Sequence, residues 1–87
     1  MYKRIDPFLY TVPELNIHGM DRITARIEID VFIDNQLRIK NKKIIIIHGK
    51  GEGILKKETH DFLKKDKRVL EYKINNYNDG ETIVVLK

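Results

Sequence analysis

The chain has 87 residues, room for one domain and no second core, with 17 basic against 13 acidic residues and a net charge of +4. It contains no cysteine, which excludes a disulfide scaffold, thiolate zinc sites and a cysteine nucleophile, and suits a reducing compartment. The start, Met1-Tyr2-Lys3-Arg4-Ile5-Asp6-Pro7, lacks the apolar stretch of a signal peptide and nothing approaches a membrane span, so a small stand-alone monomer in the cytoplasm is the expectation.

Residues 1–12 read as an arm. Pro7 and Pro13 discourage regular structure around them, while Phe8, Leu9, Tyr10 and Val12 are apolar enough to pack on the body that follows, residues 13–87. Glu14 to His18 reads as a short strand, broken by Gly19. Asp21 is a candidate N-cap for a helix running to about Ile39. Ala25, Ile27, Ile29, Val31 and Ile33 alternate as a strand would, yet about 18 residues suits a helix far better. Taken as a helix, the rows Ile23/Ile27/Val31 and Ala25/Ile29/Ile33/Leu37 predict a broad apolar face, packed on a sheet and on the arm.

Asn41 supplies a stop. Lys43 to Ile47 carries the strongest buried-strand signal, an unbroken β-branched run that suits a central strand or one covered on both faces. A second helix is predicted from Ile54 to Lys65, with Leu55, Thr59, Phe62 and Leu63 inward. Val69 to Ile74 and Thr82 to Leu86 read as a hairpin around the turn-forming run Asn75-Asn76-Tyr77-Asn78-Asp79-Gly80. The order β-α-β-α-β-β predicts an α/β two-layer sandwich. Two helices cover a four-stranded mixed sheet, with a right-handed first crossover.

Two glycine-linked histidines close strands: Asn16-Ile17-His18-Gly19 and His48-Gly49-Lys50-Gly51. A strand that ends in His-Gly-Lys-Gly and feeds a helix suits an anion, because backbone N–H groups, a lysine and the helix dipole can converge on one phosphate. Lys40, Lys42, Lys43, Lys50, Lys56 and Lys57 stand against Glu52 alone between positions 40 and 57, a local positive field for a polyanion. If the two strands are parallel, His18 and His48 rise at one edge beside the Gly49–Gly53 loop. Gly49, Gly51 and Gly53 suit positive φ in a turn, with or without phosphate. The loop and Lys50 would then hold the phosphate, and His18 would act as general acid or base. His48 also suits a structural role, fixing the loop through its ring nitrogens. His60, mid-helix and away from both motifs, reads as a surface or packing residue. With no His-x-x-x-His and no carboxylate cluster beside either motif, no metal site is expected.

From Pro13 to Lys87 the chain resembles the Smr (small MutS-related) domain. The resemblance rests on Pro-Glu-Leu-Asn-Ile-His-Gly-Met at 13–20, where the family has Leu-Asp-x-His-Gly. It rests also on Ile-Ile-His-Gly-Lys-Gly-Glu-Gly-Ile-Leu at 46–55, where the family has His-Gly-x-Gly, and on the Asp79-Gly80 turn before Thr-Ile-Val-Val-Leu. It implies a fold similar to the C-terminal domain of translation initiation factor three. It also implies DNA or RNA binding through the backbone, endonuclease activity in some members, and roles in DNA repair and recombination control or in ribosome rescue. The implied sites are His18 and Asn16 for catalysis, and His48, Gly49, Lys50, Gly51 and Gly53 for the nucleic-acid phosphate.

One departure bears on chemistry. The family aspartate two before the histidine is Asn16 here, and an amide can orient a histidine but cannot supply charge or act as a base. Cutting RNA would need only the neighbouring 2′-hydroxyl as nucleophile, leaving a cyclic phosphate. Nicking DNA would need activated water and calls for Mg²⁺. The rivals are a non-catalytic DNA- or RNA-binding module at the same edge, and a protein- or ribosome-docking domain that uses the helices or the arm. Phe8, Tyr10 and Tyr77 are the candidates for stacking on bases.

Overall fold

The structure, a computed structural model, describes residues 12–51 and 53–87. The arm therefore lies outside the described residues except for Val12, and so do Phe8, Tyr10 and Glu52. The elements run β1 (Glu14–Asn16), α1 (Arg22–Arg38), β2 (Lys43–Ile47), α2 (Ile54–Lys65), β3 (Val69–Asn75) and β4 (Asn78–Leu86). The sheet order is β1-β2-β4-β3. β1 and β2 are parallel, while β2/β4 and β3/β4 are antiparallel. The sheet is mixed and β2 is internal, as its apolar run predicts.

Alternation along β2 sorts the core. Ile44 and Ile46 join Val84 and Leu86 of β4 against Ala25, Ile29 and Ile33 of α1 and Leu63 of α2. Ile45 faces the other way, with Ile83 and Val12. Asp21 caps α1 by accepting the Thr24 N–H at 2.8 Å. Arg68 ties the chain between α2 and β3 to α1, donating to Asp66 Oδ2 and to Asp30 Oδ1, each at 2.6 Å. The Asp66 carboxyl is correspondingly held below the usual carboxylate range by Arg68.

Three expectations need correction. The row Ile23/Ile27/Val31 does not share the buried face of α1: these residues are exposed, with Ile23 at 73%. An offset of two residues is about 200° around a helix, so this row lies opposite Ala25/Ile29/Ile33 rather than beside it. The first strand stops at Asn16, and His18 already stands in a turn. The hairpin is tighter than Asn75–Gly80. Only Asn76 and Tyr77 turn, because Asn75 pairs with Asn78 across the hairpin and its Oδ1 accepts the Tyr77 N–H at 3.0 Å. Asp79 and Gly80 are thus part of β4.

Candidate nucleic-acid interface

Parallel pairing of β1 with β2, Asn16 opposite Ile47, brings both strand ends to one edge of the sheet. The Ile17 N–H extends the ladder by donating to the Ile47 carbonyl at 2.9 Å. Beyond it the two histidine motifs meet. The His18 imidazole lies directly against Gly49, where any Cβ would overlap the ring, and Gly49 has a φ of +85°. Glycine is required there twice over, by backbone conformation and by the approach of His18.

Asn16 does not reach the His18 ring in this arrangement. Its Oδ1 accepts the His18 backbone N–H at 2.9 Å, an Asx turn that carries the chain out of β1. Asn16 therefore orients His18 through the backbone.

The loop after β2 hangs on β4. The Gly80 carbonyl accepts both the His48 N–H at 3.0 Å and the Gly49 N–H at 2.9 Å. The His48 side chain turns inward, 3% exposed. Its Nδ1 lies 3.0 Å from the Gly49 carbonyl and its Nε2 lies 2.8 Å from Thr82 Oγ1. His60 Nε2 approaches the same hydroxyl at 2.9 Å, and Tyr72 packs on the His60 ring with centroids 5.1 Å apart. Burial holds both imidazoles below their ordinary pKa. Lys56 pushes the same way on each, against Gly49 and Asp79 at His48 and against Asp61 at His60.

α2 opens on Gly53, with a φ of +83° and no side chain to cap the first-turn amides, so that end of the helix dipole is available to an anion. Gly51 is outside the positive-φ region that Gly49 and Gly53 occupy. A cleft of about 180 Å³ sits here, bounded by His18, Gly49, Gly53, Ile54 and Lys56. Lys50 stands at the rim, exposed, with Nζ 3.7 Å from Asp79 Oδ1.

The lysines between 40 and 57 are not one patch. Lys43 begins β2 and His48 follows its end, so Lys40, Lys42 and Lys43 lie about 16 Å from the loop at ~3.3 Å per strand residue. Lys50, Lys56 and Lys57 remain near the site, and Lys57 pairs with Asp61 at 3.3 Å. Sequence reasoning counted Lys56 in the positive field but gave Gly80 and Thr82 no part here. It placed His60 away from both motifs, whereas the His60 ring lies 6.1 Å from that of His48. Spacing gives no sign of Thr82 or His60, because the contact forms only when α2 packs on β4. Tyr77 is exposed on the β3–β4 turn, at the end of the sheet where β2 finishes. Among the described residues no three His, Asp or Glu side chains are gathered to hold a metal ion.

The family model for the Smr domain matches residues 15–87. The chain belongs to the Smr domain family. It is 36% identical over 73 residues to the Endonuclease MutS2 of Clostridium tetani, covering 84% of this chain and 9% of that protein. With the Finegoldia magna Endonuclease MutS2 it is 38% identical over 77 residues, covering 85% of this chain and 10% of that one. The chain thus spans about a tenth of the length of these relatives. The crystal structure of the Smr domain of Thermus thermophilus MutS2 superposes with a TM-score of 0.85 at 26% identity, covering 87% of this chain and 99% of that one. YdaL, a stand-alone small MutS-related protein from Escherichia coli, shares the fold. Its TM-score is 0.80 at 23% identity, over 85% of this chain and 63% of that one. The two helices on a four-stranded mixed sheet expected from the order of elements are observed, and they match the Smr domain structures.

Proposed function

We propose that this Smr domain binds a nucleic-acid backbone at the edge formed by His18 and the His48–Gly53 loop, and that it cleaves RNA weakly there. The observation that carries the reading is the convergence of the two motifs. The His18 ring packs on Gly49 beside the side-chain-free start of α2. A phosphodiester seated in the cleft would receive first-turn amides, with Lys50 and Lys56 at its margin. To reach Lys50 it must compete with Asp79, which weakens that contact and makes binding sensitive to salt. The relatives named Endonuclease MutS2 lend support to a cutting reaction, although this chain matches only a tenth of their length.

For RNA the residues suffice for a metal-free route. His18 would take the proton of the 2′-hydroxyl, the 2′-oxygen would bond to phosphorus, and the 5′-oxygen would leave with a proton drawn from water. The products are a cyclic phosphate and a free 5′-hydroxyl. DNA lacks that nucleophile. Nicking it would need an activated water, whereas RNA carries its own nucleophile, so RNA is the better substrate for this chemistry.

The test is incubation of the chain with end-labelled single-stranded RNA and with supercoiled plasmid, each with and without Mg²⁺. Cleavage of RNA is expected, with loss of about 10²-fold or more in His18→Ala, the usual contribution of a general acid–base group. Asn16→Asp retains an acceptor for the His18 N–H and adds charge beside it, so it should cut faster. Unchanged cutting in His18→Ala would remove His18 from the chemistry. A second reading is favoured by Asn16 itself, whose side chain is spent on the turn: a binding module with no chemistry. Salt-dependent retention of RNA with no product from either protein would establish it.

A further inference from the structure

His48 and Thr82 are buried behind the glycine loop with the half-buried His60 against them, and with His48 neutral their hydrogen bonds allow one direction. The Gly49 carbonyl can only accept, so His48 Nδ1 carries the proton and donates across 3.0 Å. In the neutral ring Nε2 is then an acceptor, and the Thr82 hydroxyl must donate to it across 2.8 Å. That hydroxyl has spent its proton, so it accepts from His60 Nε2–H at 2.9 Å. The chain runs from His60 on α2, through Thr82 on β4, to His48 and the carbonyl of Gly49. Thr82 is fully buried and His48 is 3% exposed, while His60 is half-buried, so the Thr82–His48 bond is shielded from water and worth more than one at the surface. Its last member, Gly49, is the residue on which the His18 ring rests.

We infer that His60 and Thr82 are positioning residues for the glycine loop, holding His48 in one tautomer and Gly49 in the pose that seats His18. Neither side chain lines the cleft beside His18, and neither would touch a bound phosphate. The role of the loop in binding rests on the function proposed above, whereas its internal pose does not, and the two can be tested separately.

The experiment uses the whole chain and four variants, His60→Leu, His60→Gln, Thr82→Val and Thr82→Ser. Three quantities are read: imidazole nitrogen NMR for the tautomers, amide hydrogen exchange at Gly49, and retention of an end-labelled single-stranded RNA. In the parent chain His48 should show the Nδ1–H tautomer and His60 the Nε2–H tautomer. His60→Leu and Thr82→Val remove a donor or the hydroxyl, and should speed exchange at Gly49 by about tenfold, the scale of one lost hydrogen bond. RNA retention should weaken with them. His60→Gln places an amide N–H near the same point and Thr82→Ser keeps the hydroxyl. Both should return Gly49 exchange to within about twofold of the parent, a rescue that general packing would not produce.

A His48 ring found in the Nε2–H tautomer would overturn the inference. Equal exchange at Gly49 in His60→Leu and His60→Gln would do the same. If the parent chain and all variants fail to retain RNA, the proposed function falls, while exchange at Gly49 still decides the positioning role.

Discussion

Gly49 concentrates several demands in one residue. Its φ of +85° is one that side-chain-bearing residues adopt only with strain, and the space a Cβ would take is filled by His18. Its N–H is held by Gly80 and its carbonyl by His48, so the backbone cannot easily yield. Gly49→Ala should therefore displace His18 rather than the loop. We expect it to cost about 1–2 kcal/mol of stability from the backbone alone and to lower RNA affinity at least as far as His18→Ala does. Urea unfolding and a filter-retention titration would measure the two effects. Gly51→Ala is the matched control, since Gly51 is neither at positive φ nor within 4 Å of a clashing atom. Equal effects of the two substitutions would show that the His18–Gly49 contact carries no weight.

Among elements, α1 shows how far a hydrophobic pattern can mislead. Isoleucines at 27 and 29 look alike in the sequence, but Ile29 is fully buried against the sheet and Ile27 is 58% exposed. Ile29→Ala should cost about 2–5 kcal/mol, as for a large core aliphatic, whereas Ile27→Lys should stay within about 0.5 kcal/mol. A large loss from Ile27→Lys in thermal unfolding would mean that the exposed row is covered in solution. The bounds of α1, β2 and α2 were legible because local chemistry sets them: the Asp21 cap, the four-isoleucine run, and the glycines before Ile54. The hairpin was less so. Asn75, Asn78, Asp79 and Gly80 all have turn chemistry, and only the pairing of Asn75 with Asn78 selects which residues turn. That the two histidine motifs meet at one edge was legible because parallel pairing aligns strand ends. His60 was not, since the hydroxyl it meets is 22 positions away on another element.

Across the whole molecule, ionisable groups of opposite sign set how stability answers to pH. His48 and His60 are held below the ordinary imidazole value, first by burial. The unfolded chain binds more protons than the folded one as pH drops below about 6.5, so their contribution is present above that value and is lost on acidification. Asp21, bonded to the Thr24 amide, and Asp66, bonded to Arg68, lie below the ordinary aspartate value. Their contribution has the same sign, in a window lower still. Glu81 runs the other way. It is fully buried on β4, and burial raises its carboxyl above the ordinary value of 4.5. The folded chain therefore takes up that proton first. Stability from this group is full below about 4.5 and is lost as pH rises through the raised value. Acidification thus sets a loss from the two histidines against a gain from Glu81. Glu81→Gln keeps an oxygen to accept the Asn75 Nδ2–H, now at 2.7 Å, and removes the titration. Unfolding free energies from urea titrations between pH 7.5 and 4.5 should fall on acidification in the parent chain, and fall more steeply in Glu81→Gln. Parallel curves for the two proteins would mean that Glu81 keeps its charge in the folded state across this range, and that the histidines alone govern the acid side.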